Sequence, residues 1–235
     1  IINGINFVLI LHQILNHIKM KIKTIIATGA VSLALVACVT NPITGRKSVQ
    51  IVGNDQLSAM GVQEYQTALS KAKVITNTTD ATRVKNVGIR IKNAATNYYK
   101  SIGREADLQG YNWEFNLLED KQLNAWCMPG GKVAFYTGIM PVCKDETGIA
   151  VVMGHEVSHA LAGHGNERIS QAMIAQYGGA IAGGVISNDK LQQIFQVAYP
   201  IGAQVALLKY GRSQELEADQ MGLYIMAMAG YDPRQ

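Results

Sequence analysis

The chain is poor in histidine, in charge and in clustered positive residues, and each scarcity excludes something. Charged side chains make up 16% of its 235 residues. The formal charge of +4 rests largely on Lys19, Lys21 and Lys23, the only charges before Cys38; beyond them 18 basic residues face 17 acidic ones. That balance removes the electrostatic case for nucleic acid or an anionic surface, both of which need clustered positive charge. With two tryptophans and four phenylalanines there is no aromatic platform for stacked bases. Apolar runs of membrane-spanning length are missing as well. Residues 171–186 are apolar and glycine-rich but only 16 long, and residues 191–210 carry Gln192, Gln193, Gln196 and Gln204. A span needs about 20 apolar residues, so close-packed helices are favoured over a membrane hairpin. No internal repeat or low-complexity tract is present. What remains, at 48% apolar, can bury the core of one ordinary domain behind an N-terminal extension.

That extension has the order of a targeting segment. From Met20 the chain reads M-K-I-K-T-I-I-A-T-G-A-V-S-L-A-L-V-A-C, a short basic region followed by an apolar run and small residues before Cys38. Leu35-Val36-Ala37-Cys38 resembles the cleavage site of bacterial lipoproteins, which would make residues 20–37 a signal and Cys38 an acylated first residue. An ordinary signal peptide with an incidental cysteine is the alternative. Val39 in place of an aspartate points, by resemblance to enteric lipoproteins, to the outer membrane. Residues 1–19 stand ahead of a complete signal and read as an upstream extension, with Met20 as the start. The expectation is a periplasmic bacterial protein reaching the membrane through its lipid anchor only. In that oxidising compartment, Cys127 and Cys143 stay open between a disulfide and two buried thiols.

Residues 38–54, with Asn41-Pro42 and Thr44-Gly45, read as a tether. Asp55 is placed to cap a helix running to about Lys73, and Asp80 to cap a second with Val84, Val87, Ile91, Ala95 and Tyr98 in phase. The period then changes. Tyr111, Trp113, Phe115 and Leu117 alternate with polar residues, and residues 124–128 and 132–137 flank Pro129-Gly130-Gly131 like the arms of a hairpin. The motif helix is expected to begin near Asp145-Glu146. The prediction is a predominantly helical α+β domain over residues 55–235 with a small antiparallel sheet. Asp232-Pro233 looks like the start of another helix, which predicts a chain truncated at Gln235.

Chemistry concentrates in residues 151–165, V-V-M-G-H-E-V-S-H-A-L-A-G-H-G. Of five histidines, the three beyond the leader, His155, His159 and His164, all fall here; His12 and His17 precede Met20. His155 and His159, four apart on a helix, present two neutral nitrogen ligands to one zinc ion, with Glu156 beside them. A catalytic zinc needs a third protein ligand. On a continuous helix His164 lies about 140° around from His159, which excludes it as a ligand and leaves it to the metal's surroundings. Glu215 and Asp219, also four apart on a predicted helix, offer a carboxylate for the metal and another to hold a ligand imidazole.

H-E-V-S-H-A-L-A-G-H-G followed by S-Q-E-L-E-A-D-Q-M-G resembles the M48 family of zinc metallopeptidases, the Ste24/HtpX/Oma1-like gluzincins. N-A-W-C-M-P-G-G-K-V-A-F-Y-T-G, from Asn124, is similar to a sheet segment of its soluble periplasmic lipoprotein members. The resemblance implies a zincin-like fold and one zinc per chain, held by His155, His159 and Glu215. It implies Glu156 as general base and Asp219 as the partner behind a ligand. Asn124 and Ala125 would belong to the strand that receives substrate. Glu217, two residues past Glu215, should point elsewhere. The implied substrates are misfolded, unfolded or stalled envelope proteins. The alternative role is a chaperone or assembly factor acting with the outer-membrane assembly machinery, proteolysis being secondary.

Overall fold

The computed structural model describes residues 38–177, 186–199 and 211–234, together with His12 and residues 15–21. The apolar part of the expected signal, the glycine pairs at 178–179 and 183–184, and residues 200–210 lie outside the described residues.

The first departure from expectation comes at once. Instead of a loose tether, residues 38–54 hold a two-stranded antiparallel hairpin, β1 (Cys38–Thr40) and β2 (Lys47–Val49). Asn41 and Ser48 are buried within it. Helix α1 (Asn54–Lys71) buries Leu57, Met60, Gly61, Tyr65 and Ala68, a stripe at three- and four-residue spacing. A short strand β3 (Val74–Ile75) leads to α2 (Thr79–Ser101), which buries Val84, Val87, Ile91, Ala95 and Tyr99. Its cap is Thr78, whose side chain accepts from the Ala81 N–H at 3.2 Å. Asp80, expected in that role, sits in the first turn, where its charge still favours the helix dipole.

Strands β4 (Glu114–Leu118), β5 (Ala125–Met128) and β6 (Lys132–Tyr136) join β3 in one sheet of order β3-β4-β6-β5. The β5–β6 hairpin is antiparallel as expected, but β6 inserts between β5 and β4 and runs parallel to β4. The sheet is therefore mixed rather than antiparallel. The chain reverses twice between β4 and β6, so the two must point the same way. Both faces of β6 are covered. Val133 and Phe135 pack with α2 and the motif helix, while Ala134 and Tyr136 pack with α1 and the later helices. Full burial on both faces explains why β5 and β6 lack the polar alternation of β4. Burying a side chain the size of Phe135 or Ile91 completely contributes roughly 1.5–3 kcal/mol.

A helical turn α3 (Met140–Cys143) precedes the motif helix α4 (Glu146–Leu161), which Asp145 caps by accepting from the Gly148 N–H at 3.0 Å. Helices α5 (His164–Tyr177), α6 (Asn188–Ala198) and α7 (Arg212–Met228) complete the described domain. The expected α+β class with helical predominance holds. Among the described residues, no helix is long and apolar enough to cross a membrane.

Candidate active site

Two helices make the site, and two glycines set their distance. A Cβ on Gly154 would come 3.0 Å from the carbonyl oxygen of Gly222, and one on Gly222 would come 3.0 Å from the backbone nitrogen of His155. Only a crossing without side chains lets α7 lie this close to α4. That approach carries Glu215 over the histidine pair. His155 and His159 stand one turn apart with their Nε2 atoms 3.0 Å from each other. Glu215 Oε2 lies 3.6 Å from His155 Nε2, and its Oε1 lies 3.7 Å from His159 Nε2. One donor atom from each of the three residues falls within 4.8 Å of the others. The structure thus brings together the three residues expected as ligands.

Behind each imidazole stands a different support. His155 Nδ1 is 2.8 Å from Asp219 Oδ1, on the exposed side of α7. His159 Nδ1 is 2.8 Å from His164 Nδ1, and His164 Nε2 is 2.9 Å from Glu217 Oε2. His164 gets there because α4 is not continuous with α5: Gly163, at φ +68°, turns the chain and lets His164 open the next helix beneath His159. The rotation expected for one unbroken helix does not apply, although His164 is not among the three residues whose donor atoms converge. Glu217 does point away from the three donors, as expected. Its destination was not legible. It is buried and receives Asn41 Nδ2 at 2.8 Å, Thr44 Oγ1 and Arg46 Nε from the β1–β2 turn. Arg46 forks onto both oxygens of Glu167 at 2.9 and 2.8 Å, and Gln214 donates to Glu167 Oε2 at 2.7 Å. Asn41, Thr44, Arg46 and Glu167 carry no local motif that would have marked them.

Charge states follow from these contacts. Burial alone would raise the Glu217 carboxyl, but donors from His164, Thr44 and Arg46 outweigh it and hold it below its ordinary value. Glu167 is likewise lowered by Arg46 and Gln214 against the pull of burial. Burial, then His155 and His164, depress His159 to about 2; burial also lowers His164, with Glu217 opposing. Both imidazoles are therefore neutral, and their tautomers can be assigned from the network. Ionised Glu217 only accepts, so His164 carries its proton on Nε2 and accepts at Nδ1 from His159. Asp219 accepts from His155 Nδ1. With its proton on Nδ1, His159 turns its Nε2 lone pair toward His155 Nε2, 3.0 Å away.

The donor set fits zinc. Ligand atoms about 2.0–2.1 Å from a tetrahedral zinc lie roughly 3.3 Å apart, which the observed 3.0, 3.6 and 3.7 Å bracket. Glu156, next to His155, is enclosed enough that burial, and then Glu215, push its carboxyl up to about 8. A cation beside it acts in the opposite direction.

The remaining expected residues are placed as follows. Ala125 opens β5, the outer strand of the sheet, and is buried in the same apolar cluster as Ile149, Ala150 and Met153; the carbonyl of Asn124 before it accepts the Tyr136 N–H at 3.1 Å. Cys38 is exposed at the start of β1. Cys127 and Cys143 are free, buried thiols. Burial, with the nearby charge of Glu156, raises Cys127 well above the ordinary thiol value.

The comparison with known families agrees with this arrangement. The model of peptidase family M48 matches residues 90–235. The chain belongs to peptidase family M48. This M48 chain is 33% identical over 135 residues to the mitochondrial metalloendopeptidase OMA1 of Arabidopsis thaliana, covering 57% of the chain and 26% of that protein. It is 24% identical over 223 residues to the metalloprotease LoiP of Escherichia coli, covering 91% and 82% respectively. With the metalloprotease YcaL of Escherichia coli the identity is 27% over 199 residues, covering 80% and 76%. The chain thus spans about a quarter of the Arabidopsis relative. The family expected from the motifs is the family found, and these relatives are named as metallopeptidases.

Proposed function

We propose that the protein is a zinc endopeptidase in which His155, His159 and Glu215 hold the metal. The carrying observation is the convergence of their three donor atoms within 4.8 Å of one another. Bound there, zinc supplies Lewis acidity and a neighbouring water of lowered pKa. Glu156 takes the water proton on a carboxylate oxygen and returns it to the nitrogen of the leaving amine. Asp219 orients His155 through Nδ1. Substrate lies extended along the outer edge of β5, led in past Asn124 and Ala125, where main-chain pairing favours unfolded segments over folded ones.

The role proposed is in the bacterial envelope, on misfolded or stalled proteins; two of the relatives, LoiP and YcaL, are bacterial metalloproteases. Cys38 at an exposed strand end is suited to a lipid anchor, which supports the reading of a periplasmic domain tethered to the outer membrane. The deciding experiment measures zinc content and hydrolysis of an unfolded protein by the Glu156→Gln variant. It should keep about one zinc per chain and lose about 10²–10⁴-fold in rate. Undiminished hydrolysis by the zinc-loaded variant would overturn the assignment. If the same variant still rescues a deletion strain, the cellular role is outer-membrane-protein assembly rather than proteolysis.

A further inference from the structure

We infer that Glu217 is a positioning residue for the metal site and that Arg46, on the turn between β1 and β2, holds it in place. This rests on the zinc reading above. His159 is the buried one of the two ligand imidazoles, and the partner of its Nδ1 sets its ring plane and tautomer. That partner is His164, itself fully buried, whose other nitrogen meets Glu217 at 2.9 Å. The direction of His159 Nε2 is therefore inherited from Glu217 through two rings.

Glu217 is fixed in turn by donors that come from outside its helix. Asn41 Nδ2 and Thr44 Oγ1 reach Oε1, while Arg46 Nε and His164 Nε2 reach Oε2. The turn carrying three of these donors is closed on itself. Asn41 N–H donates to Arg46 O at 2.9 Å, Gly45 N–H to Asn41 O at 2.9 Å, and Ile43 N–H to Asn41 Oδ1 at 2.9 Å. The other edge of the Arg46 guanidinium grips Glu167 on α5, which Gln214 on α7 also contacts. One cation thus ties the hairpin to α5 and α7. Helix α7 carries Glu215, and α5 carries the histidine behind His159. The clamp therefore sets the distance between two of the three ligands, from a segment some 110 residues before the motif. An ion pair serving stability alone would not require a histidine bridging it to a metal ligand.

The test compares zinc affinity, by competition with a chromogenic chelator, and the visible spectrum of the cobalt-substituted protein for Glu217→Gln, Arg46→Gln and Arg46→Lys. Unfolding midpoints of the metal-free forms are measured alongside. Loss of such a supporting contact costs about 10–100-fold in metal affinity. Glu217→Gln should fall in that range with an altered cobalt spectrum, and Arg46→Lys should recover part of the loss of Arg46→Gln. Arg46 is a quarter exposed, so its variants remain informative if Glu217→Gln does not fold. Folded variants with unchanged zinc affinity and cobalt spectrum, and only lower midpoints, would overturn the inference while leaving the zinc reading intact. A wild-type chain that takes up no zinc would overturn both.

Discussion

His155 and His159 are a turn apart and chemically identical, yet what stands behind them differs in kind. The outer imidazole leans on Asp219, whose side chain is 64% exposed. The inner one leans on His164 and Glu217, whose side chains are 0% and 3% exposed. An exposed carboxylate competes with water and salt for its partner, so its contribution is small and adjustable. A buried one must be matched by donors, and removing any partner leaves an uncompensated group in a poorly polar interior. The outer support can orient a ligand cheaply, whereas the inner support makes part of the fold depend on the site's geometry.

The largest effects should come from the ligands themselves. His155→Ala and His159→Ala are both expected to lose zinc almost completely by elemental analysis. They should part in the metal-free state, where only His159→Ala strands a buried His164 nitrogen and lowers stability by about 1–3 kcal/mol. Next, Glu217→Ala should destabilise the metal-free chain by about 3–5 kcal/mol in urea, against less than about 1 kcal/mol for Asp219→Ala. Equal losses would erase the difference between the two supports. At the helix crossing, Gly222→Ala pushes on the His155 backbone and should cost about 1–3 kcal/mol by overpacking, together with weaker zinc binding by both histidines.

A smaller effect is the pH profile of the metal-free chain. The His159 and His164 values lie below the ordinary 6.5, so the unfolded chain binds protons the folded one refuses, and stability falls as pH drops below about 6.5. Glu217 and Glu167 lie below 4.5; the stability they contribute is complete above 4.5 and disappears as pH falls through their lowered values. Glu156, raised to about 8, acts in reverse, contributing stability that is lost as pH rises toward 8. Urea midpoints should therefore peak near pH 6.5. His164→Gln should flatten the acid side, and Glu156→Gln should remove the decline toward pH 8. The smallest effect is Asp219→Asn, expected to weaken zinc by less than about 10-fold and, unlike Glu217→Gln, to depend on salt.

Most of the outer half of the site was legible because it is local. Four-residue spacing on α4 and again on α7 places side chains on one face whatever the rest of the chain does. The motif helix begins at Asp145-Glu146 as expected for the same reason, with Asp145 as its cap. Thr78 displaced Asp80 because either residue could serve, and the choice depended on where the chain turned after β3. The parallel pairing of β4 with β6 was hidden, since alternation marks a strand but not its neighbour. Asn41-Pro42 and Thr44-Gly45 read as turn-forming residues, correctly, but a turn on a tether and a turn driven into a core have the same composition.

By itself, then, the sequence determined a donor set suited to a metal: two imidazoles and an adjacent carboxylate on one helix, and an acidic pair on another. Only the tertiary structure decided which acid does what. Glu215, Glu217 and Asp219 share one short stretch of α7, and a helix alone distributes them around its circumference without preference. The close crossing at Gly154 and Gly222 turned Glu215 and Asp219 toward the two imidazoles. The break at Gly163 brought His164 round to meet Glu217. The hairpin delivered Arg46 from 171 residues away. Long-range packing sets those directions, because burial of apolar surface fixes the helices' positions first and the polar groups must then find partners where they land.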